Sequence, residues 1–361
     1  MSRTGVTEIK QIKIEDADET MVLAQDVVDD FGRVLVTAGT NLKREIVERL
    51  LRKEITAVAV SYPAAAGGCP PVRGRNQEMS TLPNLISAAT RLKMVQTMQN
   101  AFRHRGGIAA HLPYLRECIR QVIQELSSKE SLLIYLTDIR QKSDYLYGHC
   151  VDVGVFAVAF GLAMGLSRDE IYILGIGGLL HDYGKTCIPN DIIEKNGPLT
   201  PDEFEQVKKH AAFGYNILRA ETKVDSRIAL VALQHHERPD GRGYPWGVEG
   251  EEIHPLARII AVADVYDALI TDRVYRPRIA THEAIRIINQ GSGSQFDDKV
   301  VEAFNKITVP YYIGSAVKLN NGLAGAVLRI NSLEPARPVI WTREGIINLL
   351  QERNLQIVAV V

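Results

Sequence analysis

The residues best suited to chemistry are histidines and aspartates that lie within or beside strongly apolar stretches. His181 and Asp182 follow the run "LGIGGLL", and His235 follows "IALVALQ". A buried polar group without a partner costs about 1 to 3 kcal/mol, and an unpaired charge costs more. Taken singly, a buried histidine is more often a hydrogen-bonded core residue than a metal ligand. As a set, these residues favour a shared cation, and the members are His149, His181, Asp182, His210, His235, His236 and Asp264.

Five imidazoles and two carboxylates favour a pair of divalent transition metals over Ca²⁺ or Mg²⁺, which prefer shells of oxygen atoms. The four cysteines form no CxxC pair, so a structural zinc site of the cysteine type is not expected. Two metals stabilise the attacking and the leaving oxygen of an in-line phosphoryl displacement, with a bridging hydroxide as the nucleophile. Asp182 is suited to bridge the two metals, and Lys185, one helical turn beyond His181, to meet a phosphate oxygen.

The elements that must position these residues fall into segments of different pattern. Residues 1–62 alternate like strands around one amphipathic helix, which predicts a small α+β module. Residues 63–81 are rich in Ala, Gly and Pro and predict a linker. Helical patterning follows, with connecting helices over 82–126 and a catalytic domain over 127–310. Residues 311–361 predict a β-rich C-terminal appendage, so the predicted fold class is mainly α with a small module at each end.

Composition and charge limit the classes of function. The chain of 361 residues is 46% apolar and 24% charged, which is typical of a globular protein. A formal net charge of −1 gives no global reason to bind nucleic acid or an anionic membrane. Two apolar runs, "VGVFAVAFGLAMGL" and "IYILGIGGLL", fall short of the roughly 18 to 20 residues of a membrane-spanning helix. The N-terminus has no signal-peptide pattern and the cysteines suggest no disulfide framework, so we expect a cytoplasmic protein without a membrane span.

Three motifs, in their order and spacing, resemble the HD-GYP family: "HDYGK", "HHERPDGRGYP" and "ARIIAVADVYDALITDRVYR". This family is the branch of the HD phosphohydrolases that hydrolyses the bacterial second messenger cyclic di-GMP. The upstream "DYLYGHCVDV" is similar to the opening histidine helix of the family, and "KKHAAFGYNIL" is similar to its middle histidine segment. The resemblance covers about residues 127–310 and implies an HD-type all-helical catalytic domain.

The resemblance implies two metal ions and assigns their ligands. The ligands of the first metal would be His149, His181, Asp182 and Asp264. The ligands of the second metal would be Asp182, as a bridge, with His210, His235 and His236. Some members bind a third metal through a glutamate whose position is Tyr145 here, so a third metal is not expected. The expected contacts to phosphate and guanine are Lys185, Tyr244, Arg273 and Arg276, and the expected catalytic residues are Asp182 and Lys185.

Four more acidic residues near the motifs are expected to orient ligands or to cap helices, and they are Asp144, Glu237, Asp240 and Asp267. Asp267 follows Asp264 by three residues, so on a helix the two share much of one face. The terminal segments resemble modules that precede and follow HD-GYP domains. They carry no second cluster of chemically active residues, so we interpret both as regulatory or interaction elements.

The leading hypothesis is a cyclic di-GMP phosphodiesterase that produces pGpG, and from it GMP, with iron or manganese as the two divalent transition metal ions. Two alternatives stay open: a cyclic di-GMP sensor or scaffold with little turnover, and an HD phosphohydrolase for another nucleotide. Candidate partners are diguanylate cyclase domains or other signalling proteins, bound through the GYP loop or the N-terminal module. A homodimer is a further candidate, and nucleic acid is not an expected partner.

Overall fold

The chain divides into two compact units, Met1–Arg73 and Gly74–Val361. A computed structural model describes them over residues 8–14, 22–25, 27–28, 34–37, 40, 42, 44–53, 55–62, 85–103, 108–129, 132–134, 145–195, 197–221, 223–272 and 278–361.

The first unit is a small α+β module. Its elements are β1 (Glu8–Lys13), β2 (Val22–Leu23), β3 (Val27–Val28), β4 (Val34–Val36), α1 (Arg44–Leu51) and β5 (Ala57–Tyr62). Strand β5 lies between β1 and β2 in an antiparallel sheet, and β3 pairs with β4. The alternation of side chains along β5 directs Val58 and Val60 inward, where they join the buried side chains of Leu23 and Leu50.

The second unit is mainly helical. Its helices are α2 (Ala88–Arg103), α3 (Leu112–Ser127), α4 (Tyr145–Ala163), α5 (Arg168–Leu180), α6 (Asn190–Ile193), α7 (Pro201–Lys208), α8 (His210–Ala220), α9 (Ser226–Gln234), α10 (Pro255–Ile270), α11 (Thr281–Gln290) and α12 (Asp298–Ile307). Helices α4 and α10 are apolar on nearly every side and therefore lie inside the core. Helix α3 contributes Ile119 and Val122 to the same core.

Local capping signals fix where the helices near the histidines begin. Ser167 accepts a hydrogen bond from the Glu170 N–H, and the Glu170 carboxylate accepts one from the Ser167 N–H. Thr200 and Glu203 form the same reciprocal pair before α7, and Asp225 accepts a hydrogen bond from the first turn of α9. These pairs satisfy N–H groups that have no partner within the helix.

A glycine contact lets α4 and α5 approach closely. A Cβ atom on Gly178 would lie only 2.7 Å from the Cα of Gly154 on the neighbouring helix. A larger residue at either position would separate the two helices. The close approach brings the ring of His149 on α4 to 5.3 Å from the ring of His181 at the end of α5.

The C-terminal part of the second unit is an antiparallel five-stranded sheet in the order β10-β6-β7-β8-β9. Its strands are β6 (Ala316–Leu319), β7 (Ala324–Arg329), β8 (Val339–Thr342), β9 (Gly345–Asn348) and β10 (Ile357–Val360). The predicted Asn-Gly turn connects β6 to β7, and there Asn321 accepts a hydrogen bond from the Leu323 N–H at 3.1 Å. Gly322 adopts a φ of +87°, which glycine tolerates well.

The expectation that the apolar runs are too short to span a membrane was wrong for one helix. Helix α4 includes polar residues before the run and reaches 19 residues. The window Leu146–Ala163, with a mean hydropathy of 1.6, is long and apolar enough to cross a bilayer. In this fold 78% of that window is buried inside the protein, which is typical of a core helix.

The predicted fold class is confirmed, because the second unit is a helical body that ends in a small antiparallel sheet. The first unit carries the α+β elements that the alternating pattern predicted. The finer boundaries at residues 62, 81, 126 and 310 stay predictions.

Candidate metal centre

The backbone at helix ends fixes the orientation of three imidazoles. In each case the Nδ1–H donates to the backbone carbonyl three residues earlier, which lies near the end of a helix. The pairs are His181 with Gly178 at 2.8 Å, His210 with Val207 at 2.7 Å and His235 with Ala232 at 2.9 Å. A carbonyl oxygen only accepts, so the proton stands on Nδ1 and each Nε2 presents a lone pair.

The carboxylate of Asp182 lies where four imidazole nitrogens converge. Its Oδ2 lies 3.3 Å from Nε2 of His181 and 3.7 Å from Nε2 of His149. Its Oδ1 lies 3.3 Å from Nε2 of His210 and 3.9 Å from Nε2 of His235. The two oxygens of one carboxylate therefore face two different pairs of imidazoles, which is the arrangement of a bridging ligand.

The Nε2 atoms near Asp182 have no hydrogen atom with which to form hydrogen bonds to one another. Nε2 of His210 and Nε2 of His235 lie 3.3 Å apart, although both rings carry their proton on Nδ1. Within the described part of the chain, His181 Nε2 and Asp182 Oδ1 are buried and have no hydrogen-bond partner. Buried polar atoms without a partner are costly unless a cation pairs with them. The donor set therefore fits divalent metal ions of the kind that imidazole and carboxylate ligands prefer.

His149 is held by two carboxylates from α10. Its Nδ1 lies 2.6 Å from Oδ2 of Asp267, and its Nε2 lies 3.1 Å from Oδ1 of Asp264. Asp267 is fully buried, so its charge acts on the imidazole with little screening. Burial alone would lower the pKa of His149, but the hydrogen bonds to Asp264 and Asp267 outweigh it and raise the pKa to about 9. Asp267 thus orients the imidazole, as its helical spacing from Asp264 indicated.

The candidate ligand atoms fall into overlapping groups, each with one atom per residue and all atoms within 4.8 Å of one another. The groups are Asp182 with His210, His235 and His236; His149 with His181 and Asp182; and His181 with His235 and Asp264. Asp182 belongs to the first two groups. The first group contains the residues predicted for the second metal, whereas the second group contains three of the four residues predicted for the first metal and lacks Asp264.

The electrostatics favour the protonation states that bind cations at Asp182, His235 and His236, whereas the raised pKa of His149 keeps a proton that a cation would have to displace. Burial opposes the charged form of Asp182, but Lys185 and the nearby imidazoles hold the pKa of that carboxyl well below its usual range. Burial and neighbouring histidines lower the pKa of His235 far below its usual value, and burial lowers the pKa of His236 to about 3. At neutral pH the carboxylate is therefore ionised, and these two imidazoles are neutral.

The glycine-rich loop after the histidine pair packs against the metal ligands. The ring of Tyr244 stacks on the ring of His236 with 4.6 Å between centroids. Oε1 of Glu237 accepts hydrogen bonds from the Trp246 and Gly247 N–H groups at 2.7 and 3.2 Å. The carboxylate of Glu237 therefore holds the loop in place, and burial raises the pKa of Tyr244, so the phenol keeps its proton.

A cleft of about 360 Å³ opens beside this loop, within the range of small-molecule sites. Its lining includes His235, His236, Tyr244, Lys208 and Phe204. The cleft thus joins two of the candidate metal ligands to aromatic and basic side chains.

The sequence model of the HD domain family matches residues 120–300, which is half of the chain. The chain belongs to the HD domain family. The motifs "HDYGK" and "HHERPDGRGYP", together with relatives named as cyclic di-GMP phosphodiesterases, confirm the resemblance to its HD-GYP branch.

Three curated relatives illustrate the range of similarity. A cyclic di-GMP phosphodiesterase of Pseudomonas aeruginosa is 32% identical over 76% of this chain and 65% of its own length. A probable cyclic di-GMP phosphodiesterase of Vibrio cholerae is 46% identical over 35% of this chain and 30% of its own length. A 3'3'-cGAMP-specific phosphodiesterase of the same organism is 35% identical over 46% of this chain and 36% of its own length. The chain thus spans less than two thirds of the length of each of these relatives.

The structure of this HD-GYP protein brings the predicted metal ligands together. Some other predicted site residues are not among the residues that the structure describes. Lys185 contacts the centre directly, because its Nζ lies 2.6 Å from Oδ2 of Asp182. Arg273, Arg276 and Asp144 lie outside the described residues, so their predicted roles stay predictions. The side chain of Tyr145 also lies outside the described part, although its backbone begins α4.

The structure adds two cleft positions that the sequence did not single out, and it gives Glu237 a contact that the sequence did not predict. Lys208 and Phe204 line the cleft, and Glu237 anchors the loop rather than a metal ligand or a helix end. The sequence could have indicated Lys208 only through its position two residues before His210. The adjacent Lys209 lies one residue before His210, so this criterion does not distinguish the two lysines. Asp240 accepts hydrogen bonds from the side chain of Arg238, within the same loop.

Proposed function

We propose that this chain is a metal-dependent phosphodiesterase that hydrolyses cyclic di-GMP to pGpG, with GMP as the product of a second hydrolysis. The observation that carries the proposal is the convergence of imidazole nitrogens on both oxygens of Asp182, beside a cleft lined by aromatic and basic side chains. The names of the relatives support the same substrate class.

The proposed cofactors are two divalent transition metals, iron or manganese. His149, His181 and Asp264 would hold one ion, and Asp182 would be shared between the two ions. The other ligands of the second ion would be His210, His235 and His236. Bound at this position, the pair supplies activation of a water and stabilisation of negative charge on the phosphoryl oxygens. The remaining steps depend on side chains of the chain itself.

Lys185 and Tyr244 are the proposed contacts to the scissile phosphate within the described residues. Lys185, on the first turn after Asp182, places its ammonium group at the centre. An ammonium donates up to three hydrogen bonds to phosphate oxygens. Tyr244 keeps its phenolic proton and donates a single bond from the loop. Arg273 and Arg276 are proposed, from the HD-GYP resemblance, to contact phosphate and guanine.

Hydrolysis transfers one proton as it exchanges two bonds. A water oxygen bonds to phosphorus, the bond from phosphorus to the 3′ oxygen breaks, and a proton of the water passes to that 3′ oxygen. The 5′ phosphate stays on the product, which is why the linear product of the first step is pGpG.

A different cyclic dinucleotide is the second candidate substrate, favoured by the 3'3'-cGAMP-specific relative. A sensor or scaffold with little turnover is less well supported, because a protein that only binds a nucleotide does not need the full set of metal ligands. We further propose a cytoplasmic location without a membrane span. Diguanylate cyclase domains or other signalling proteins are the proposed partners of the GYP loop and the N-terminal module, with a homodimer as a further assembly.

The test is hydrolysis of cyclic di-GMP by anaerobically purified protein whose metal content is quantified. We expect pGpG or GMP from the wild-type chain and none from a His181→Ala, Asp182→Ala double variant. A Lys209→Ala variant serves as a control, because Lys209 is exposed and lies outside the cleft lining. If the wild-type protein binds two metals but hydrolyses no cyclic dinucleotide, the proposed phosphodiesterase activity is refuted.

A further inference from the structure

Lys208 occupies a defined position between two aromatic rings of the cleft. Its Nζ lies 5.4 Å from the centre of the Phe204 ring and 5.7 Å from the centre of the Tyr244 ring. All three side chains line the cleft. A cation at such distances is attracted by the ring electrons, which holds the ammonium in place.

This cation is distinct from the one that contacts the metal ligands. Lys185 lies against the carboxylate of Asp182, whereas Lys208 lies against rings and pairs with the exposed carboxylate of Glu205. Tyr244 connects the two regions, because its ring also stacks on His236. A phosphodiester at the metal ligands would therefore leave Lys208 to contact another part of the same nucleotide.

The lining of this part of the cleft matches a nucleobase better than a second phosphate. Aromatic rings offer stacking surfaces to bases, worth about 1 to 3 kcal/mol per base on alanine substitution. Gln295 and Arg242 also line the cleft and offer hydrogen-bonding groups of the kind that read base edges. A site built for phosphate alone would not need the apolar walls.

The charge of Lys208 selects among bases. Guanine presents two acceptors, O6 and N7, along one edge, whereas adenine replaces O6 with an amino group that donates. An ammonium has three donors and no acceptor, so it pairs with both guanine atoms and opposes the adenine amino group.

We propose that Lys208, Phe204 and Tyr244 form a guanine-binding subsite, in which Lys208 donates to O6 and N7 of a base that stacks on the aromatic rings. The inference rests on the proposed function, because the base belongs to a cyclic dinucleotide whose scissile phosphate lies at the metal ligands. The side chain of Glu205 is 65% exposed, so its ion pair with Lys208 contributes little. Lys208 can therefore release Glu205 and contact the base at little cost in free energy.

The experiment compares Lys208→Met, Lys208→Arg and Lys209→Met with the wild-type chain, each with its metal content quantified. Cyclic di-GMP, cyclic di-AMP and 3′3′-cGAMP are tested as inhibitors of the hydrolysis of bis(p-nitrophenyl) phosphate, which has no base. Inhibition constants report affinity whether or not a dinucleotide is itself hydrolysed. Lys209 is the matched control, because it has the same charge on the adjacent residue and is exposed.

We expect Lys208→Met to reduce the preference for cyclic di-GMP over cyclic di-AMP by about tenfold. Lys208→Arg should keep the preference, because a guanidinium also donates to O6 and N7, and Lys209→Met should leave it unchanged. Metal content should stay at the wild-type level in all three variants, and the rate on bis(p-nitrophenyl) phosphate should stay at the wild-type level in Lys209→Met.

Equal weakening of all three dinucleotides in Lys208→Met would mean a contact to phosphate and would overturn the subsite. An unchanged preference, or a wild-type chain without a preference for guanine, would overturn it as well. A wild-type chain that hydrolyses no cyclic dinucleotide, but loses its guanine preference in Lys208→Met, would reject the proposed function and retain the subsite.

Discussion

Asp267→Asn is expected to weaken, by about tenfold, the binding of the metal that His149 is proposed to hold. The Asp267 carboxylate lies 2.6 Å from Nδ1 of His149 and is fully buried. Asparagine keeps an acceptor oxygen but loses the charge, and a hydrogen bond to an ionised partner is roughly twice as strong as a neutral one, a difference of about 1.5 kcal/mol. Since about 1.4 kcal/mol corresponds to a factor of ten, the estimate agrees with the roughly 10- to 100-fold effects of residues that orient metal ligands.

The assay is a competition titration of the metal-free protein with a chromophoric chelator, followed by metal quantification at limiting metal. The control is Asp152→Asn, on the same helix as His149. Its carboxylate is also nearly buried, with 8% of the side chain exposed, but it pairs with Arg91. The control should lower thermal stability without changing metal affinity.

Only the metal on the His149 side should respond to Asp267→Asn, because the imidazoles of His210 and His235 take their orientation from backbone carbonyls. Equal metal affinities for Asp267→Asn and Asp152→Asn would refute the orienting role of Asp267. A parallel loss of both metals, accompanied by a lower unfolding temperature, would attribute the effect to global destabilisation instead.

Three other perturbations give separable results. Gly184→Ala should destabilise the fold by at least about 1 to 3 kcal/mol in urea titrations, because its Cβ would lie 2.0 Å from the carbonyl oxygen of His210; wild-type stability would contradict this. Metal affinity should rise about tenfold per pH unit up to pH 9, because the metal displaces the proton that the raised pKa of about 9 keeps on His149. Calorimetry in two buffers should detect the released proton. A metal affinity that does not change with pH would contradict this prediction. In the metal-free protein, the stabilisation from that proton is complete below pH 6.5 and lost as the pH rises through 9, measurable by thermal melts. Glu237→Ala should raise the KM for cyclic di-GMP about fivefold at unchanged metal content, because the N–H groups of the loop that carries Tyr244 lose the carboxylate that accepts from them. A loss of bound metal in this variant would contradict the prediction.

The sequence alone predicted which residues would lie together at the candidate metal centre. Most candidates stood within or beside an apolar run, and burial requires a partner for a polar group, so residues such as His181 and His235 were expected to meet other groups. The adjacency of His181 and Asp182 also indicated a shared carboxylate, and the structure shows both oxygens of Asp182 facing imidazoles.

Other features depend on geometry that spacing does not contain. Lys208 and Lys209 are neighbours of equal charge, and only the position of α7 decides that the first lines the cleft while the second is exposed. Glu237 was expected to act near the metals or as a cap, but its acceptors are N–H groups nine and ten residues later, in a loop whose path the sequence does not specify. Helix α4 exceeded the predicted apolar run because the polar residues before it, such as His149, are satisfied by contacts from α10.

The same carboxylate that gathers the imidazoles also balances the charge of Lys185. Nζ of Lys185 and an ion bound by the imidazoles would compete for Asp182, because a cation near Oδ2 reduces the attraction of that oxygen for a second cation. An ion at the imidazoles would therefore weaken the hold of Asp182 on the ammonium, and a phosphate that approaches would offer it oxygens of the opposite charge. The pairing of Lys185 with Asp182 thus keeps a half-buried lysine charged and in position at the point where negative charge is to be stabilised.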